Sequence, residues 1–312
     1  MNRAGLVAAA LGVAAATAAS GASDRDVPRM ASARADVARI IAGSGADVAV
    51  AFRSLDGSDE LLIQPDVEFH AASTMKVPVM VELFRRAQAG QLKLDDRVPV
   101  TNEFHSIVDG SPFKLEPDVD SDAAVYTHVG GELSYRELCE AMITSSSNLA
   151  ANILIEQLGA KAIQAATDAL GARGMHVLRG VEDTKAFEKG LNNTTTARAL
   201  LTLMTAIAEG KAGDNASTHE MIGILERQKF NDRIPAGLPP GTKVAHKTGE
   251  ITGIQHDAAI VFAPKPFVLV VLVRGLDDAK KSAAMTAEIA RTLYAASQPP
   301  PAKRQRFARE RE

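Results

Sequence analysis

A chain of 312 residues with 46% hydrophobic content is long enough to bury a large core, in one domain or in two interlocked layers. Its formal charge of −3, three Tyr and lack of Trp supply neither a basic face nor a base-stacking surface, which argues against nucleic acid as a partner. Small-molecule chemistry fits this balance better.

Arg3 is followed by an apolar run over 4–19, with small-residue cleavage candidates at Ala16-Thr17-Ala18 and Ser20-Gly21-Ala22. A basic start, an apolar centre and a small-residue exit predict a secretory signal peptide over 1–22; the run is short for a membrane span. The expected location is therefore periplasmic or secreted, with no stable membrane insertion after cleavage. Cys139 is the only cysteine, so no internal disulfide can form, and its helical surroundings predict a small core residue.

Helical spacing over 26–42 ends at Gly43. Val48, Val50 and Phe52 alternate as a strand, Asp56-Gly57 turns, and Leu61-Leu62-Ile63 returns, which predicts a hairpin. From about 77 to 233 the pattern is mainly helical. Ser134-Tyr-Arg-Glu137 reads as a capping box, 149–158 as a helix stopped by Gly159, and 197–209 as a helix closed by Gly210. Three strands are predicted over 243–248, 255–262 and 267–274, then a helix over 282–296. The Pro-led, charge-rich tail over 299–312 predicts disorder.

Strands at both ends with helices between them predict an α+β fold. Residues 24–76 and 234–298 form a five-stranded antiparallel sheet flanked by the N- and C-terminal helices, and 77–233 form an inserted all-α subdomain. A cleft between the two parts is the natural ligand site.

Three short strings carry the chemistry. Ser73-Thr-Met-Lys76 sets a hydroxyl and an amine one helical turn apart, at the start of a helix whose unpaired N–H groups favour negative charge. Ser146-Ser-Asn148 places a second hydroxyl and a carboxamide on a turn between helices. Lys247-Thr248-Gly249 places a cation on a strand. Each has a bland reading when taken alone: an N-cap with a surface lysine, a polar turn with Asn148 as N-cap, an edge-strand lysine. A second Ser-x-x-Lys, Ser111-Pro-Phe-Lys114, lies in a loop where no helix would align its side chains. All three strings together, in this order, describe an activated serine, a proton relay and an anchor for an anionic substrate.

At these residues the chain resembles the class A β-lactamases and the wider penicillin-recognising serine hydrolases, over nearly all of its length after the signal. The resemblance implies that Ser73 attacks a lactam carbonyl, Lys76 takes its proton and Ser146 relays a proton to the departing nitrogen. It also implies that Asn148 holds the substrate's amide and that Lys247 and Thr248, followed by Gly249, hold its carboxylate. The backbone N–H groups of Ser73 and Glu250 would form the oxyanion hole, each aimed donor being worth about 3 kcal/mol of barrier. Substrates implied are β-lactams or peptidoglycan-like molecules, handled by a monomer without a cofactor.

Deacylation requires an acid that activates water. Glu188-Lys-Gly-Leu-Asn192 reproduces the family's letters and makes Glu188 the preferred residue, with Glu182, after Arg179-Gly180-Val181, as the alternative. Ser147 stands where many members have Asp. Glu250 would weaken anion binding if it faced the cleft, and the stretch 101–131, with Asp118, Asp120 and Asp122, reads as expanded. No His-x-His or His-Glu-x-x-His occurs, so no metal is expected. Two related outcomes stay open: a D-Ala-D-Ala carboxypeptidase or esterase using the same serine, and a covalent penicillin-binding module that deacylates poorly.

Overall fold

The computed structural model describes residues 26–299; the expected signal peptide and almost all of the expected tail lie outside the described residues. The chain begins with α1 (Asp26–Ser44), β1 (Asp47–Ser54), β2 (Glu60–Ile63), the short strand β3 (Phe69–His70) and α2 (Lys76–Gln88). An irregular stretch follows with β4 (Arg97–Pro99), β5 (Phe104–His105), β6 (Pro112–Phe113) and β7 (Glu132–Ser134). Next come α3 (Tyr135–Thr144), α4 (Asn148–Leu158), α5 (Ala160–Ala169), α6 (Thr184–Glu188), β8 (Thr194–Thr195), α7 (Ala197–Ala208) and α8 (Asn215–Glu226). The chain then returns through β9 (Lys243–Ile251), β10 (Ile254–Phe262), β11 (Phe267–Arg274) and α9 (Ala279–Ser297).

The five long strands form one antiparallel sheet in the order β2-β1-β11-β10-β9, as the sequence pattern predicts. The central strand, Phe-Val-Leu-Val-Val-Leu-Val, is apolar on both faces because both faces are covered. Phe267, Leu269, Val271 and Val273 pack with Val37 of α1 and with Ile289 and Leu293 of α9. Val268, Val270 and Leu272 face the other way and join a larger core that includes Leu200 and Met204 of α7 and Met80 and Leu83 of α2. Alternation of period two thus divides one strand between two cores.

Helix α2 is buried from Lys76 through Phe84 and runs through the helical layer. Its buried Glu82 carboxylate pairs with Arg85 at 2.7 Å and Arg86 at 2.8 Å, so the charge does not go unpartnered. The capping box at Ser134 and Glu137 is complete. The expanded stretch between α2 and α3 contains two small ladders, β4 with β7 and β5 with β6. Strand β9 is one of the two edge strands of the sheet, and it lies against the turn that carries Ser73.

Candidate active site

Ser73 lies in a short 3₁₀ turn, Ala72–Met75, immediately before α2. Ala72 is left-handed at φ 45°, a conformation that costs a residue with a side chain roughly 1 kcal/mol or more. Strand β3 leads into this turn, which β9 meets from the side. A β-carbon on Gly249 would stand 3.1 Å from both Thr74 Cγ2 and Thr74 N, and 3.2 Å from Ala72 Cβ. Glycine at 249 therefore permits the close approach of β9 to the turn that carries Ser73.

The amine of Lys76, fully buried, donates to the Ser146 carbonyl at 2.6 Å and to Asn148 Oδ1 at 2.7 Å. It also lies 3.1 Å from Ser73 Oγ and 3.3 Å from Ser146 Oγ. Lys247, equally buried, donates to Ser146 Oγ at 3.0 Å and to the Thr248 carbonyl at 2.8 Å. The Ser146 hydroxyl is thus held between two amines from different layers. Ser146 is left-handed at φ 61°, fixed between the end of α3 and the start of α4. Asn148 is the first residue of α4, and Ser147 is its N-cap, accepting from Ala150 N at 3.2 Å. The expected N-cap thus shifts by one residue, which frees the Asn148 carboxamide for the site.

Burial pushes the Lys76 amine down to about 7, against the opposing charges of Asp120 and Glu182. Burial also drives Lys247 well below the ordinary lysine range, and the neighbouring Lys76 adds to this. An amine near neutrality holds a lone pair at working pH and can take a proton from a hydroxyl 3.1 Å away.

The two acids that the sequence offers for deacylation, Glu188 and Glu182, lie in different surroundings. Glu188 is exposed at the end of α6, and Asn192, of the same string, accepts from the Arg179 guanidinium at 3.0 Å. Glu182 instead accepts from Asn148 Nδ2 at 2.7 Å and is half-buried. Burial raises its pKa; the hydrogen bond from Asn148 opposes this, and the charge of Asp120 reinforces it. Glu182 is left-handed at φ 62°, making it the third such residue at the site. Its loop is tied to α4: Asn152 accepts from Val181 N at 2.6 Å and donates to the Val181 carbonyl at 3.0 Å. Any β-carbon at Gly180 would lie 2.6 Å from Asn152 Oδ1, so this loop path also requires glycine. Asp183 anchors the other side, accepting from Ser106 Oγ at 2.8 Å and Ile107 N at 2.9 Å.

Two neighbours of the site escaped the sequence reading. Arg233, nearly buried, donates to the His256 carbonyl at 3.0 Å and pairs with the Glu250 carboxylate. The acid expected to oppose anion binding is therefore partly neutralised where it stands. Asp120, from the expanded stretch, reaches the start of α4 and accepts from Asn148 N at 2.9 Å. Arg233 lies in no recognisable string; Asp120 belonged to a run of acids, and only folding distinguishes it from Asp118 and Asp122.

Residues 32–297 match the Beta-lactamase enzyme family. The chain belongs to this family. A beta-lactamase of Bacillus licheniformis is 28% identical over 246 residues, spanning 75% of this chain and 73% of that protein. An ancestral class A beta-lactamase superposes with a TM-score of 0.74 at 28% identity, covering 85% of this chain and 99% of the other. A PBP-A variant captured as an acyl-enzyme complex with penicillin G gives 0.72 at 26%, covering 86% and 96%. The α+β fold with its five-stranded antiparallel sheet is that of the beta-lactamase family, and the residues just described lie at the join of its sheet and helical parts.

Proposed function

We propose that this chain hydrolyses β-lactams through an acyl-enzyme on Ser73. The observation that carries the reading is one hydrogen-bonded network joining Ser73, Lys76, Ser146 and Lys247 across both layers, with Glu182 reaching it through Asn148. Lys76, as the neutral amine, takes the Ser73 proton while Oγ bonds to the lactam carbonyl carbon. The proton passes through Ser146 Oγ to the lactam nitrogen as the C–N bond breaks. Water then gives a proton to Glu182 and attacks the ester, and Ser73 leaves with its proton restored. Lys247, Thr248 and Arg233 supply hydrogen-bond donors for a substrate carboxylate. The apolar run near the N-terminus supports export to the periplasm or medium, with the lactam as a small-molecule substrate.

The decisive experiment follows intact mass after mixing with penicillin, alongside turnover of a chromogenic cephalosporin. A transient adduct that returns to the unmodified mass is expected, with both signals lost in Ser73→Ala. A persistent adduct would instead make the chain a covalent penicillin binder. Release of D-alanine from a muropeptide would move it to the carboxypeptidases, and no adduct with no turnover would overturn the acyl-enzyme reading.

A further inference from the structure

Helix α4 carries Asn148, and its start is satisfied from two directions. Ser147 Oγ accepts from Ala150 N, and the Ser147 carbonyl accepts from Ala151 N at 3.3 Å. The two foremost N–H groups, of Asn148 and Leu149, both donate to the carboxylate of Asp120, at 2.9 Å and 3.0 Å. All four N–H groups at this helix start therefore have partners. Asp120 comes from 28 residues upstream and is itself held, accepting from Tyr126 Oη at 3.1 Å and from Asp122 N at 3.1 Å. A remote carboxylate on a helix start does two things: it fixes the helix against the segment that supplies it, and it sets a negative charge at the positive end of the helix. Here that end lies directly beside Ser146, whose left-handed backbone needs an anchor on its C-terminal side.

We propose that Asp120 is a positioning residue for the reaction, holding the Ser146-Ser147-Asn148 turn in place and setting the charge felt by Lys76 and Glu182. The expanded stretch 101–131 is on this reading a strut for the proton relay rather than only a rim of the cleft. The groups facing Lys76 and Glu182 are Asp120 and Tyr126 from that stretch, Glu116 beside them and Lys247 from β9. Among these, Asp120 is the anion that acts on both proton acceptors: it favours the proton on Lys76 and on Glu182 alike. Removing its charge lets both lose their protons at lower pH.

The inference rests on Lys76 and Glu182 being the proton acceptors, so its test uses a probe that needs no lactam turnover. The rate of Ser73 modification by a fluorophosphonate is followed by intact mass from pH 5 to 9. Asp120→Asn keeps one oxygen, which in the Oδ2 position still accepts from both N–H groups, and loses the charge; its acidic limb should move to lower pH by about one unit. Asp120→Ala should show the same movement and a further loss of rate of roughly tenfold. Asp118→Asn, which removes an exposed charge from the same stretch, should move neither. Should Asp120→Asn fail to fold, Asp120→Ser keeps one acceptor and carries the same expectation. A rate that falls with an unmoved limb would reduce Asp120 to a structural brace and overturn the proposal, as would no change at all. If the unmodified protein does not react at Ser73, the acyl-enzyme reading fails instead, and the two failures are distinguishable.

Discussion

The two faces of the sheet are built to different rules. Behind it, Phe52, Phe267, Leu269 and Val271 meet Val37, Ile289 and Leu293 with no charge among them. In front, two fully buried lysines share one hydroxyl, and three of the four left-handed residues other than glycine found among the described residues, Ala72, Ser146 and Glu182, border the site. Apolar burial behind the sheet supplies stability, at about 25 cal/mol per Å² removed from water. The front spends part of it on desolvated amines and strained backbone, which hold the groups ready to react. The difference teaches that stability and chemistry can be attacked separately in this chain.

The largest effect should come from the front. Glu182→Gln is expected to lower kcat about 10³-fold while leaving acylation intact, so that a penicillin adduct accumulates in the mass spectrum. Behind the sheet, Ile289→Ala should cost about 3 kcal/mol in urea unfolding, with kcat unchanged where the protein is folded. His256 offers a pH test. Burial holds it neutral, its pKa pushed from 6.5 down to about 4. Between those values the unfolded chain binds a proton that the folded chain refuses, so stability should fall as pH drops through that window, by about 3 kcal/mol in all. His256→Gln should lack that slope in urea midpoints measured against pH.

Smaller effects sharpen the contrast. Gly249→Ala forces apart β9 and the Ser73 turn by a few tenths of an ångström and should lower kcat/KM roughly tenfold, with Tm little changed. Glu188→Gln should leave hydrolysis at the level of the unmodified protein; a loss equal to that of Glu182→Gln would reverse the assignment of the deacylating acid.

Legibility in the sequence followed the range of the interactions. The strands, the capping box and the helix stops at Gly159 and Gly210 were readable because periodicity and local hydrogen bonding act within a few residues. Ser73 and Lys76 were readable for the same reason, one turn apart. The surroundings of Glu188 were not legible because a matching string fixes letters and not direction: α6 ends at Glu188 with the residue exposed, while Asn152 and Asp183 hold the loop that carries Glu182 to Asn148.

The amino-acid order by itself determined the α+β architecture, the pairing of Ser73 with Lys76 one turn apart, and the family resemblance that three ordered strings carry. Folding alone decided that Lys247 would share Ser146 with Lys76 across 101 residues, that Arg233 would meet Glu250, and that Asp120 would seat α4. Those contacts join segments whose separation leaves no periodic trace, and their energies depend on burial, which only the packed chain creates.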